Sequence, residues 1–457
     1  MNILILGAGQ VGVSLAKYLS LDEENDITIV DKDEENLSSI QRYLDVKTIC
    51  GHGSYPNILE EAEIKTMDMV IAVTKSDEGN MLACQIAHTL YGVNKKIARI
   101  RTAEYLHHKA LFSDNAIPID FTITPEILVT DFIKRVVEQP GAEQIFEFDN
   151  GLIQLVETKA YKGTPIVGHP IKELHDHLPK THVRIVSIYR DNQVIPAYGE
   201  TVIKDGDRVY FVTKKKSVSK VLKEFRRMDR PYKNIMIAGG GLIGLNLAKF
   251  LEKNHLVRII ELDKKRVKEI ADQLENAIVL HGNASDEDLL KSEGIENIDL
   301  FLALTDSDEI NVIVSILAKR LGAYKTVALV KRNMYVDLAT QSDDVDMVIS
   351  PDQITTSGIL SHLRKGDTMT AHSLRKGKAE AIELIVHGDK HHSNVVGKSI
   401  ENINFPEGVV VGAIVRGNKA LMASRQLAIE ENDHVLLVMS DTSQIHKVEK
   451  LFEVQLN

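Results

Sequence analysis

Ile3-Leu4-Ile5-Leu6-Gly7-Ala8-Gly9-Gln10-Val11-Gly12 opens the chain, and Ile235-Met236-Ile237-Ala238-Gly239-Gly240-Gly241-Leu242-Ile243-Gly244 restates it near the middle. Each stretch joins an aliphatic run to a Gly-x-Gly-x-x-Gly turn and then to a helix-compatible pattern. That order, strand before the glycines and helix after them, separates a dinucleotide-binding turn from a chance glycine cluster. The likeness continues downstream. Ile29-Val30-Asp31-Lys32-Asp33 meets Ile259-Ile260-Glu261-Leu262-Asp263, and Gly51 and Ser54 meet Gly282 and Ser285. Ala72-Val73-Thr74-Lys75-Ser76-Asp77-Glu78 meets Ala303-Leu304-Thr305-Asp306-Ser307-Asp308-Glu309. The chain is a duplication.

Within copy one, aliphatic runs at 3–6, 27–30, 46–49, 69–73 and 97–100 alternate with helical patterns such as 11–19 and 80–91. Runs without polar alternation suit strands covered on both faces, and strands alternating with helices imply parallel crossovers. Thr124-Pro125-Glu126 and Ser350-Pro351-Asp352 each place a hydroxyl before proline, the signature of a capped helix start. From about residue 144 to 225 the pattern changes to short strands and turns, and the end of the chain repeats it. The expected fold class is α/β: two tandem Rossmann-like, doubly wound parallel-sheet domains at 1–125 and 232–350. Each is followed by a small α+β domain, at 140–225 and 370–457. The basic, proline-containing stretch from Arg226 to Lys233 reads as a solvated linker between the halves.

The 457 residues exceed what one core organises. No apolar run approaches the ~18 residues that span a bilayer, and the strand-like start shows no secretory n-region. Two cysteines, Cys50 and Cys84, form no disulfide framework and fit a reducing cytosol. A net charge of −10 argues against a nucleic-acid partner.

The glycines have distinct tasks. Gly7 permits the tight turn, Gly9 lets backbone approach a pyrophosphate, and Gly12 allows close helix–sheet packing. The phosphate would then face free amides at the positive end of the helix dipole. Asp31 stands where a carboxylate accepts from ribose hydroxyls and repels a 2′-phosphate, which favours NAD or an adenine nucleotide over NADP. Gly239, Gly241, Gly244 and Glu261 take these roles in copy two. Thr74 and Lys75 end the fourth strand at the sheet edge where open α/β folds bind ligands. Two roles are open for Thr74: a bond to the nucleotide, or a cap on the helix entered at Asp77 and Glu78. Arg99, inside an aliphatic strand, needs a charged partner, which a pyrophosphate would supply. Leu329 holds that place in copy two, so two unequal sites are expected.

No catalytic set emerges. Tyr105 and Lys109 match the Tyr-x-x-x-Lys spacing of short-chain dehydrogenases, yet no serine accompanies them and copy two has Tyr335 with Ala339. His175-Asp176-His177 and His387, His391 and His392 are not duplicated and have no cysteine beside them, which suits solvated loop histidines rather than metal ligands. The alternative function, an NAD-dependent oxidoreductase, lacks a duplicated acid or base in either small domain.

Taken together, the tandem Gly-x-Gly-x-x-Gly turns, the Val30-Asp31 and Ile260-Glu261 strand ends, Gly51 and Gly282, and the Thr-x-Ser-Asp-Glu segments resemble the RCK family, domains that regulate potassium conductance. The resemblance covers essentially the whole chain. It implies a non-catalytic, cytoplasmic protein, peripheral on the inner membrane face, that binds NAD(H) or ATP/ADP. It also implies a homo-oligomeric, tetrameric ring that gates an integral-membrane potassium-translocating subunit. By that resemblance Gly7, Ala8, Gly9, Gln10, Val11, Gly12, Asp31, Thr74, Lys75 and Arg99 form site one. Gly239, Gly240, Gly241, Leu242, Ile243, Gly244 and Glu261 form site two. Relatives that respond strongly to ATP carry a basic residue after the second glycine; Gln10 and Leu242 depart from this, which leans site one toward NAD(H).

Overall fold

The computed structural model describes residues 1–21, 25–149, 151–191, 193–226, 231–341, 345–360, 368–374 and 379–454. Copy one begins β1 (Asn2–Leu6), α1 (Gln10–Leu19), β2 (Asp26–Asp31), α2 (Glu34–Gln41), β3 (Lys47–Cys50) and α3 (Pro56–Glu61). It continues β4 (Met69–Ala72), α4 (Asp77–Tyr91), β5 (Lys95–Arg99), α5 (Ala103–His107), β6 (Phe121–Ile123) and α6 (Pro125–Glu138). The six strands are parallel, in the order β3-β2-β1-β4-β5-β6. The period-2 geometry of β1 sends Ile3 and Ile5 to one apolar core and Leu4 and Leu6 to another, all fully buried. This is why the strand is aliphatic throughout. β6 lies beyond the five strands read from the sequence, because its three residues carry no periodic signal.

The first small domain is β7 (Gln144–Phe148), β8 (Ile153–Lys159), α7 (Leu174–His177), β9 (Val183–Arg190), β10 (Gln193–Ile195), β11 (Arg208–Lys214) and α8 (Val218–Phe225). Its antiparallel sheet runs β10-β9-β11-β8-β7. Copy two follows the same plan. Its large domain comprises β12 (Asn234–Ala238), α9 (Leu242–Leu251), β13 (Leu256–Glu261), α10 (Lys264–Ala271), β14 (Ile278–His281) and α11 (Glu287–Ser292). There follow β15 (Leu300–Ala303), α12 (Asp308–Arg320), β16 (Lys325–Leu329), α13 (Asn333–Gln341), β17 (Met347–Ile349) and α14 (Pro351–Leu360), again with the 3-2-1-4-5-6 arrangement. The second small domain holds β18 (Thr368–Leu374), β19 (Ala379–Ile385), β20 (Val409–Arg416), β21 (Lys419–Met422), β22 (His434–Met439) and α15 (Ile445–Phe452).

The copies exchange helices. Val129, Ile133, Val136 and Val137 of α6 fall at i, i+4, i+7 and i+8 and are buried in the core of the second large domain, against α9. Ile359 and Leu360 of α14 are buried in the core of the first, against α1. Burying the four α6 side chains is worth about 6–12 kcal/mol. The two small sheets also pack face to face: Leu155, Tyr210 and Val212 meet Ala381, Ala413 and Leu436. A Cβ on Gly412 would lie 3.0 Å from Val212 Cγ2, so the absence of a side chain there sets the sheet approach.

Two expectations change. The Thr124 hydroxyl does not cap α6; it donates to Ile100 O at 2.8 Å, holding the helix start to the end of β5. Ser350 Oγ does accept from the Gln353 amide, at 3.5 Å. The linker is not simply solvated: Arg226 donates to Gly141 O and stacks over Tyr161, and Tyr232 is buried. Residues 227–230 lie outside the described residues.

Candidate nucleotide sites

Both glycine turns close alike. Gly7 and Gly239 sit at φ +110° and +109°, a region side chains resist, and donate their amides to Val30 O and Ile260 O at 2.8 and 2.9 Å. A Cβ on Gly12 would lie 1.9 Å from Gly7 O, and one on Gly244 2.1 Å from Gly239 O. Gly9 and Gly241 differ: a Cβ there would meet nothing within 4 Å. Each occupies the N-cap position without a side-chain acceptor, whereas α2, α4, α10 and α12 are capped by Asp33, Ser76, Asp263 and Ser307. Helices α1 and α9 therefore present their first amides to open space, an arrangement that suits an anion.

A carboxylate closes each rim. Asp31 accepts from the Ala8 amide at 2.5 Å and the Asp33 amide at 2.9 Å. Glu261 accepts from the Gly240 and Asp263 amides, both at 2.8 Å. Two amides orient each group, and lone pairs remain for further donors such as ribose hydroxyls. Gln10 and Leu242 are exposed at the helix starts, followed by Val11 and Ile243 on the inward side.

At the end of the fourth strand Gly7 packs on Val73 and Thr74, and Gly239 on Leu304 and Thr305. The Thr74 hydroxyl bonds Asn80 Oδ1 at 2.6 Å, and the cap of α4 is Ser76, so the capping role considered for Thr74 falls to its neighbour. Asn80, fully buried, also donates to Arg99 O; Asn311 does the same for Thr305 and Leu329. This asparagine, duplicated in sequence yet unremarked there, ties the fourth strand end to the fifth. Lys75 is exposed, and its carbonyl accepts from Arg101.

Arg99 has protein charges near it. Burial lowers its pKa, and Glu126 of α6 and Asp352 of α14 offset part of that. Its Nε is buried without a hydrogen-bond partner among the described residues. Burial in turn raises the Asp352 carboxyl to about 6, against the pull of Arg99. Arg99 thus faces one acid from each exchanged helix, Glu126 of α6 and Asp352 of α14. Sequence reasoning missed Arg266, whose Nε donates to Gly240 O at 3.0 Å and brings a guanidinium to the turn of site two. The same step beyond the acid in copy one is Asn36. A methyl on Gly240 would meet Ile270 Cδ1 at 2.1 Å, so that side chain would have to turn away for alanine, which copy one carries as Ala8.

The remaining candidates separate from the sites. Tyr105 donates to Glu78 at 3.2 Å, as Tyr335 does to Glu309 at 2.9 Å, and that bond pushes the Tyr105 phenol up, opposite to what a dehydrogenase base needs. Lys109 lies exposed in a short 3-10 turn. His177 pairs with Glu224, His392 with Asp389, and His175 and His391 are exposed; His387 is half-buried.

The architecture is that of a tandem Rossmann-type regulator of the RCK kind. Solved structures of the GsuK RCK domain (TM-score 0.60, 17% identity, 99% of this chain and 94% of that one) and of the GsuK channel bound to NAD (0.59, 16%, 99% and 78%) share the fold. The TrkA-N domain family matches residues 3–125 and 235–351, and the TrkA-C domain family residues 155–226 and 390–453. The Trk system potassium uptake protein TrkA of Halomonas elongata is 47% identical, covering 100% of this chain and 99% of its own. The protein of that name in Vibrio alginolyticus is 44% identical, over 99% of both chains. The chain belongs to the TrkA family.

Proposed function

We propose that this chain is the nucleotide-binding regulatory subunit of a Trk-type potassium-uptake system, acting without catalysis. In this reading it works in the cytoplasm against the inner membrane face, as a tetrameric homo-oligomeric ring on an integral-membrane potassium-translocating subunit. The domains are those at 1–125, 140–225, 232–350 and 370–457. No helix among the described residues is long and apolar enough to cross a membrane. The observation that carries the reading is the pair of uncapped helix starts at Gly9 and Gly241, each with open space above and an amide-held carboxylate at its rim. The NAD-bound GsuK channel, of the same fold, supports NAD(H) as a ligand; ATP or ADP would use the same amides.

Site one, with Asp31 and a half-buried Arg99, suits NAD(H); site two, with Glu261 and Arg266, offers a cation at the turn itself. Binding at site one would draw on Arg99 and so act on its balance with Asp352 and Glu126, which sit on the two exchanged helices. A ligand biases such an arrangement only through unequal affinity for its two states. Calorimetric titration of the full chain with NAD, NADH, ADP and ATP tests this. Asp31→Ala should weaken one site at least tenfold and Glu261→Ala the other, each with loss of its share of control over potassium flux. Undiminished binding in both variants, or flux control that survives loss of binding, would overturn the reading.

A further inference from the structure

The strand-end cation of the small domains differs between copies. In copy one Arg208 opens β11, paired with Lys159, and its guanidinium bridges Glu143 and Glu157. In copy two the equivalent residue is His434, opening β22 opposite Ile385, with Glu383 in the place of Glu157. His434 Nδ1 lies 2.9 Å from Glu383 Oε1 and 3.8 Å from Asp149 Oδ1, and the ligand atoms of all three residues lie within 4.8 Å of one another. Asp149 comes from the other sheet: it sits at the β7–β8 turn, at φ +46°, and its amide donates to Glu383 Oε2 at 3.3 Å. An arginine is a permanent cation between two acids. An imidazole supplies at most one charge, and only when protonated. With a neutral imidazole the cluster carries two carboxylates, one of them 3% exposed, and uncompensated buried charge is costly.

We infer that Asp149, Glu383 and His434 form a divalent transition-metal site, of the zinc class, that clips the two small sheets together. A tetrahedral ion with ligands at ~2.0–2.1 Å needs ligand-to-ligand spacings of about 3.4 Å. The 2.9 and 3.8 Å separations bracket that value, so small side-chain rotations close the site. The imidazole nitrogen selects zinc, cobalt or nickel over calcium and magnesium, which take oxygen. The Asp149 amide, held on Glu383 Oε2, orients that carboxylate from outside the ligand set. Asp149 and His434 are each about a quarter exposed, leaving a route in for the ion and a fourth position for water.

The test uses the full chain stripped with chelator and titrated with Co(II), followed by visible absorption, and with Zn(II), followed by calorimetry and thermal unfolding. One ion per chain is expected, with zinc displacing cobalt and raising the unfolding midpoint. His434→Arg copies the cation of copy one, so it should fold, lose the cobalt band and lose the zinc-dependent midpoint shift; Asp149→Asn should also lose the band. A double change of His391 and His392 to alanine, the exposed histidines beside Asp389, should leave uptake intact. No ion taken up by the wild type, or uptake that survives His434→Arg but is lost with His391 and His392, would overturn the assignment.

Discussion

In copy one the last turn of the helix leaving the glycine turn carries Tyr18, whose hydroxyl donates to the buried Glu380 of the second small sheet. In copy two the same position of α9 is Phe250, with Lys134 of the exchanged helix 4.9 Å over its ring. Gln154, the counterpart of Glu380, turns instead to Glu147 of its own sheet at 2.9 Å. The pattern recurs elsewhere: Arg99 in copy one corresponds to Leu329 in copy two, Phe146 to His372, and Arg208 to His434. Backbones, glycine turns and apolar faces are duplicated, whereas several polar groups where the copies meet are not. A homodimer must use one surface twice. Joining the copies in one chain frees each half to carry a different polar residue, so unequal sites and unequal couplings can arise on one scaffold.

The largest effect should come from breaking the helix exchange. Ile133 follows the first sheet in sequence but is buried in the core of the second. Ile133→Ala should cost about 2–5 kcal/mol through lost contacts and a residual cavity. Hydrogen exchange would then rise in peptides covering β12 to β16 more than in those covering β1 to β5. Ile359→Ala, on α14, should show the reverse. A rise confined to the sheet preceding each helix would disprove the reciprocal arrangement.

The repeat and both parallel sheets were legible because aliphatic runs and glycine turns are local signals. The carboxylates of the two sites were legible for the same reason: Asp31 and Glu261 stand at fixed steps beyond the glycines. What escaped was long-range. Nothing in 125–138 announces that Ile133 packs on a sheet a hundred residues later, since amphipathicity names a face and not its partner. Arg266 lies in a helix with several basic residues, and only the fold brings its Nε onto Gly240. Of the two roles open for Thr74, the cap could not be decided from sequence because two hydroxyls precede the acidic helix start, and geometry chose Ser76.

A smaller effect, visible in acid, separates Phe146 from its counterpart. The rings of Phe146 and His372 lie 4.9 Å apart, and Phe148 meets the imidazole edge-on. Burial pushes the His372 pKa down to about 4, although a bond to the Glu147 backbone opposes it. In the unfolded chain an imidazole titrates near ~6.5. Between these values the unfolded chain binds a proton that the folded chain refuses, so stability is complete above about pH 6.5 and falls as pH drops toward 4. His372→Phe, which copies copy one, should remove a loss of about 2 kcal/mol at pH 5. Denaturant unfolding at pH 8 and pH 5 compares the two proteins; the same pH dependence in both would remove His372 from the account.

The smallest effect tests whether the two halves are coupled unequally. Tyr18→Phe makes copy one match Phe250 and removes one donor from a buried carboxylate, a bond worth about 1.5 kcal/mol or somewhat more. Glu380→Gln makes the acceptor match Gln154. If the pair acts as a unit, the double variant should cost clearly less than the sum of the singles. The readout that matters is local. Tyr18 lies in the last turn of α1, the helix that starts at the glycine turn, and Glu380 lies on the strand that carries Glu383. Loosening this bond should raise hydrogen exchange in α1 and β19 while leaving α9 and β8 unchanged. Equal loosening of both pairs would mean that the strain spreads through the shared sheet interface, and the asymmetry at Tyr18 would then be local chemistry without mechanical consequence.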